Sequence, residues 1–566
     1  MPRGPIDAAR GSSGTARKKP TKRGLRPLPT PAAVYLLDVW TIDVRPGPGL
    51  GLGKGSFACL PAGKAVTRGT RRGLDLLAIA LAGLGCDGHA AVATGPPAAS
   101  HSFSRAALLD PTACQPCHAQ QVAEWLASMH AYASSDPVFL AMNARGQRET
   151  DGGLGGFCVG CHAPMAVRDG LTQDGLNLPS LPEKYDGVTC FFCHQIATVG
   201  GAQNAALVLA DDLVMRGEYA NPVPNPAHAS TYAVVADPIQ PAGAAACGAC
   251  HDVVVPGSDA GIEQTYFEWA HSAFAGSDGT TCSGCHMTPS PTLQPIAQAE
   301  DAPPRTLHDH TFPAVDVALG PSAADAGEQV GAVQQALDSA LQGALCVTGA
   351  GGIRVVLDPV GVGHAWPSGS AQDRRAWVEV IAYRGGAVIY QSGVVSTGQS
   401  VTAVSNDPDR WLLRECLFDA QGAPVNMFWL TASTEGNELP ALATFDPQDP
   451  RFYGTHIVQR FPRDGTPLTT RPDMVTMRVR LQPVGIDVLA DLVASGDLDA
   501  AVVDAMPTFD VSLTGPGGPP LEWTPEAAAG LITMSDDGTP ETCVATLDFN
   551  VAAQQTLATN HTKCSP

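Results

Sequence analysis

Cys-x-x-Cys-His occurs five times between Cys114 and His286: Cys114/Cys117/His118, Cys158/Cys161/His162, Cys190/Cys193/His194, Cys247/Cys250/His251 and Cys282/Cys285/His286. This is the attachment signature of a c-type haem. The two thiols form thioethers to the haem, and the imidazole next to the second Cys takes one axial position on the iron. Zinc ribbons also use Cys-x-x-Cys pairs, but they do not need a His directly after the second Cys. With only 15 His in 566 residues, five such placements point to haem c. Five cofactors on so short a stretch leave too little polypeptide for an ordinary apolar core around each one. The packed haems are therefore expected to form most of the core, on short helices joined by loops. Neighbouring haems would then lie in close contact.

Each iron also needs a ligand on its second face. His130 follows His118 on a helix expected over residues 119–132, with Val122, Leu126 and Met129 on one face. Twelve residues of helix span about 18 Å, so His130 would serve a different haem from His118. His228 sits in a Pro-rich loop, and His271 follows Glu268-Trp269, echoing Glu124-Trp125 before His130. His310 and His308 share the segment 307–313, and His364 lies in Gly363-His364-Ala365-Trp366-Pro367. His130, His228, His271, His310 and His364 are the preferred distal ligands, ahead of His308. Met165 and Met287 lie so close to their own motif His that core packing is expected of them.

Charge and cysteine usage bound the rest. The net charge is −21, and residues 1–85 hold 14 Lys/Arg against 4 Asp/Glu, so the remainder is more acidic still. Such a surface argues against nucleic acid as a partner. Residues 1–65 are rich in Pro, Gly, Arg and Lys and read as disordered or as a mis-called extension. Residues 66–86 read as a signal peptide: Arg68, Arg71 and Arg72, then the apolar run 74–84, then Cys86. The sequence before Cys86 is similar to a bacterial lipoprotein box, so lipidated Cys86 would attach the protein to a membrane. Residues 87–104 read as a tether. An exported, periplasmic or cell-envelope location follows from haem attachment outside the cytoplasm. Cys346, Cys416, Cys543 and Cys564 remain for disulfides in such an oxidising compartment.

Three segments carry a resemblance: Cys114 to His130 with Trp125 and Ser128, then Gly156-Phe157-Cys158-Val159-Gly160-Cys161-His162-Ala163-Pro164, then Gly187-Val188-Thr189-Cys190-Phe191-Phe192-Cys193-His194. Together they resemble the cytochrome c-552/c-554 multihaem family, which is related to hydroxylamine oxidoreductase-type enzymes. The match covers about residues 110–315. It implies stacked haem pairs, mainly His/His ligation and electron transfer. The chain has no Cys-x-x-Cys-Lys, the variant carrying a lysine-ligated catalytic haem in pentahaem nitrite reductases, and no evident cross-linking Tyr signature.

The C-terminal half changes pattern. Val330, Val333, Leu337 and Leu341 recur at helical spacing, with Ser322 and Asp325 as a cap pair. From Cys346 the chain reads as strands: 353–357, then 377–383 and 388–391 around Gly385-Gly386, then the alternating run 475–481. Residues 486–495 read as a helix. Gly363 to Gly369 is similar to a Gly-His-x-x-Pro-Thr/Ser-Gly segment appended to many multihaem cytochromes, which implies that His364 reaches back to cap a haem. His456 and His561 read as surface residues.

The expected class is multidomain: a mainly α, loop-rich multihaem cytochrome domain (105–315), a linker helix (316–345) and a β-sandwich-like domain with helical additions (346–566). The expected role is an exported pentahaem c-type cytochrome that relays electrons between redox partner proteins. The alternatives are a multihaem reductase of a small nitrogen or sulfur oxyanion and a structural subunit of an extracellular electron conduit.

Overall fold

A computed structural model of the chain describes residues 101–277, 279–319, 326–404, 406–535, 537–547 and 558–559. The N-terminal extension, the signal-like run with Cys86, most of the tether, the cap pair Ser322/Asp325, His561 and Cys564 lie outside the described residues. What is described belongs to one compact unit. No helix among the described residues is long and apolar enough to cross a membrane.

Residues 105–315 consist of short helices and two-stranded ladders joined by loops. The longest helix, Pro137–Glu149, starts where Asp136 accepts a hydrogen bond from the Phe139 amide (2.8 Å) and Pro137 presets the first turn. The helix expected over residues 119–132 is instead two, Ala119–Leu126 and Met129–Tyr132. Ser128 breaks it: its backbone is extended (φ −101°, ψ 155°), and its hydroxyl donates to the Trp125 carbonyl at 2.6 Å. The straight 18 Å spacing therefore does not apply to His118 and His130. Apolar clusters here are small. One joins Leu108, Leu109, Met165, Phe191, Phe192, Ile196 and Leu207. Another holds Val159, Ala163, Ala166 and Leu178.

The C-terminal part is built on two sheets. One runs in the order Ile532–Met534, Pro540–Ala545, Gln342–Thr348, Ile353–Asp358, Ile457–Phe461, Ala558–Thr559. Its first strand in sequence, Gln342–Thr348, starts within the stretch read as linker. The other has Ala387–Ser392, Arg375–Arg384, Met474–Gln482 and Phe509–Val511 in order, with Trp411–Leu413 and Leu521–Trp523 beside the central pair. Leu345, Val355 and Leu357 from one sheet and Val378, Val479 and Trp523 from the other share a single core. The alternation along Met474–Gln482 produces burial of every second residue. Gly385 (φ 57°) and Gly386 (φ 78°) supply the left-handed turn that closes the hairpin. Val333 and Leu337 of helix Ala326–Leu337 enter the same core.

Cys346 and Cys543 form a disulfide between paired strands, 197 residues apart in sequence. These two sulfurs with Glu541 make the one metal-like cluster of His, Cys or acidic side chains among the described residues. The disulfide and the buried Arg354–Glu541 ion pair account for it. His456 is not a surface residue: it is buried, with Nε2 2.9 Å from Asp358.

The two parts share apolar surface. Val138 and Ala141 of the long helix pack with Met427, Val488, Leu489 and Leu492. Arg148 pairs with Asp497, and Arg374 pairs with Asp316.

Candidate haem sites

The motif helices begin in a way the sequence prescribes. Thr189 caps Cys190–His194, accepting from the Phe192 amide. Thr281 caps Cys282–His286, accepting from the Gly284 amide at 3.2 Å. Each capped turn presents two thiols and, one residue on, an imidazole. The ten motif cysteines, Cys114, Cys117, Cys158, Cys161, Cys190, Cys193, Cys247, Cys250, Cys282 and Cys285, are all free of disulfides. They are therefore open to the thioether chemistry the motif implies.

Four of the five motif imidazoles are oriented by a hydrogen bond from Nδ1 to a protein acceptor. Nδ1 of His162 lies 2.8 Å from the Ala133 carbonyl, that of His286 2.9 Å from Pro313, and that of His251 2.9 Å from Glu263. Nδ1 of His194 is held by the Arg216 carbonyl. With Nδ1 committed in this way, Nε2 is left as the metal-binding nitrogen.

Three motif rings face a distal ring. The centroid separations are 6.4 Å for His118 and His228, 6.3 Å for His130 and His251, and 6.4 Å for His286 and His364. A metal–imidazole bond is about 2.0 Å, so two imidazoles on opposite faces of one metal have centroids about 6.4 Å apart. The pairs thus have the span that a shared iron requires. Their interplanar angles are 33°, 69° and 12° respectively. Burial holds His130 at a pKa of about 3, and His194 and His364 at about 4. These rings are neutral at physiological pH, as metal ligation demands.

The remaining two candidates and the second motif behave differently. The ring of His271 meets Phe267, 4.1 Å between centroids, with Nδ1 2.7 Å from the Phe267 carbonyl. His308 has both nitrogens engaged: Nδ1 lies 2.8 Å from the Met287 carbonyl and Nε2 3.2 Å from Glu218. In His310, by contrast, it is Nδ1 that is engaged, 2.8 Å from the His308 carbonyl and 3.8 Å from Glu124. The ring of His162 is stacked on Phe139 at 4.1 Å and 9°.

The motifs also meet one another. The Cys114 thiol reaches Cys190, that of Cys161 reaches Cys250, and that of Cys247 reaches Cys282. The first motif thus adjoins the third, the second the fourth, and the fourth the fifth.

The second thiols of three motifs, Cys117, Cys193 and Cys285, are exposed, whereas the first thiols Cys114, Cys190 and Cys282 are partly buried. The first motif is a turn rather than a helix, and it runs over the surface with the Cys117 carbonyl accepting from the Gln298 amide at 2.7 Å. Only its first thiol, Cys114, is directed to the neighbouring motif. A haem joined to Cys117 would have that edge at the protein surface.

Three site residues carry no sequence signal of their own role. Glu263 orients His251. Glu124 accepts from the His310 amide (3.1 Å), and Glu268 accepts from the Ala365 amide (3.1 Å) beside His364. The repeated Glu-Trp pair is the one trace of the last two in the sequence.

Residues 113–195, which hold the first three motifs, match the family described as cytochrome c554 and c-prime. The chain is also similar to the crystal structure of a penta-heme cytochrome c552 from Thermochromatium tepidum. The identity is 21%, the TM-score is 0.47, and the similarity covers 72% of this chain and 99% of that one. No curated protein matches the chain.

Proposed function

We propose that this multihaem c-type cytochrome carries five covalent haems and relays electrons in a cell-envelope redox chain, exported and tethered through Cys86. The observation that carries the reading is the contiguity of the motifs. Thiols of adjoining motifs are close enough to interact, Cys114 with Cys190, Cys161 with Cys250, Cys247 with Cys282 and Cys193 with Cys247, and three motif imidazoles face a second imidazole across the width of one iron. Haem supplies one-electron chemistry, alternating between ferric and ferrous iron. The chain's own residues orient the motif imidazoles, and burial keeps the distal rings of His130 and His364 neutral. Two histidines on an iron favour a lower potential than His/Met, so most midpoints are expected below zero. Spectroelectrochemistry on the purified protein tests this, and midpoints all well above zero overturn it.

A second reading has one observation in its favour. His162 is met by the ring of Phe139, not by one of the distal imidazoles. An iron held there with one open face would suit reduction of a small nitrogen or sulfur oxyanion. Adding cyanide or nitrite to the ferric protein distinguishes the two: a spectral shift at one haem selects the reductase, and no shift selects the relay.

A further inference from the structure

A repeat lies outside the five motifs. Glu124-Trp125-x-x-Ser128 precedes Gly187-x-Thr189-Cys190, and Glu268-Trp269-x-x-Ser272 precedes Gly279-x-Thr281-Cys282. The two segments make the same bonds. Trp125 Nε1 donates to the Val188 carbonyl (2.8 Å), and Trp269 Nε1 donates to the Thr280 carbonyl (2.9 Å). Each acceptor lies two residues before the first Cys of a motif. Ser128 Oγ donates to the Trp125 carbonyl and Ser272 Oγ to the Trp269 carbonyl, at 2.6 and 2.8 Å. A Cβ on Gly187 would strike the His130 carbonyl oxygen, and one on Gly279 would strike that of Phe274. His130 and Phe274 occupy the same place, six residues after the glutamate. Residues 131–186, with the second motif, fill the gap in one copy, and residues 275–278 fill it in the other.

The glutamates are equivalent too. Glu124 accepts from the amide of His310, and its other oxygen is fixed by Gln120 at 2.8 Å. Glu268 accepts from the amide of Ala365 and from the Ser368 hydroxyl at 2.7 Å. In both copies the carboxylate grips a loop that carries a candidate distal histidine, His310 in one and His364 in the other, and in the second copy that histidine faces His286 of the motif its neighbouring tryptophan holds.

We propose that Glu124 and Glu268 are positioning residues of a duplicated haem-seating unit, each fixing the distal-ligand loop of one haem while the adjacent tryptophan fixes its attachment motif. The proposal rests on the reading of the motifs as haem sites. It explains why a loop of the β-rich part can serve as an axial arm: Glu268 ties that loop to the helix that also holds the motif. It further assigns His310 to the haem of His194 by equivalence with the His286–His364 pair.

The test is low-temperature EPR with redox titration and haem content on the full chain carrying Glu268→Ala, Glu268→Gln, Glu124→Ala or Ser368→Ala. Glutamine keeps an acceptor oxygen and removes the charge. Loss of the low-spin signal of the nearly parallel pair is expected in Glu268→Ala, with its retention in Glu268→Gln. Glu124→Ala should perturb the haem of His194 and leave the His286 signal alone. Ser368→Ala, which removes a single hydroxyl, should broaden or shift the same signal as Glu268→Ala. Unchanged signals and midpoints in both alanine variants, at full haem content, overturn the proposal. So does loss of the same signal from Glu124→Ala and Glu268→Ala. If Glu268→Ala does not fold, an unchanged signal in Ser368→Ala overturns it. A wild-type haem count other than five fails the haem-site reading instead.

Discussion

At the scale of single residues, the assignments turn on which imidazole nitrogen is free. His308 and His310 are two residues apart and equivalent in composition. His308 spends Nε2 on Glu218, whereas His310 keeps its Nε2 unengaged, with Nδ1 2.8 Å from the His308 carbonyl. Sequence could name both but not choose, because Glu218 is 90 residues away. His364 makes a direct prediction. His364→Met replaces imidazole by thioether, so the midpoint of the His286 haem should rise by on the order of 100 mV, within the ~0.8 V that axial ligands span. Potentiometric titration reads this, and an unmoved midpoint would place another ligand on that iron. Gly187 makes a second. Its φ of 64° and its approach to the His130 carbonyl leave no room for a side chain. Gly187→Ala should displace His130 and convert the nearly perpendicular pair with His251 to a high-spin site in the optical and EPR spectra.

Elements were legible where one periodicity governed them. The strand Met474–Gln482 and the hairpin around Gly385-Gly386 stand where alternation and turn chemistry put them. The helix over 119–132 failed because an apolar spacing compatible with one helix does not reveal that Ser128 and Trp125 bond elsewhere. The burial of His456 is not legible because its partner, Asp358, comes from a strand that only the fold pairs with Ile457–Phe461, the strand His456 precedes. The exposure of Cys117, Cys193 and Cys285 is equally out of reach, since the motif fixes the spacing of its thiols but not which of them meets solvent. The sheet elements carry two predictions. Removing the Cys346–Cys543 bridge by Ser substitution should lower stability by about 2–4 kcal/mol, measured by denaturant unfolding of the oxidised and variant proteins. Burial, reinforced by Glu438, raises the Glu415 carboxyl to about 8, and burial raises Glu438 to about 7. Both are protonated in the fold at pH values where the unfolded chain has lost those protons. Their stabilising effect is therefore full below about pH 4.3 and lost as pH rises to about 8. The melting temperature should fall across that window, and Glu415→Gln should flatten the fall. An unchanged slope would remove Glu415 as its source.

For the whole molecule, the apolar clusters of residues 105–315 are small and separate, while the β-rich part has one large core. This contrast is what five covalent cofactors would complete. The β-rich part does more than stand beside the haem motifs: it contributes His364 and packs Val488 and Leu492 against the helix Pro137–Glu149. The motifs and their number are legible in the sequence because attachment chemistry fixes their spacing. The pairing of distal and proximal rings is not, because it depends on loops brought together from as far apart as His130 and His251. The central claim, a contiguous relay of histidine-ligated haems, is tested most directly by low-temperature EPR of the ferric protein with haem content measured on the same sample. The account predicts five haems per chain and distinct low-spin signals: a highly axial one from the 69° pair, and rhombic ones from the 12° and 33° pairs. Fewer than five haems, or high-spin iron at His118, His251 or His286, would contradict it.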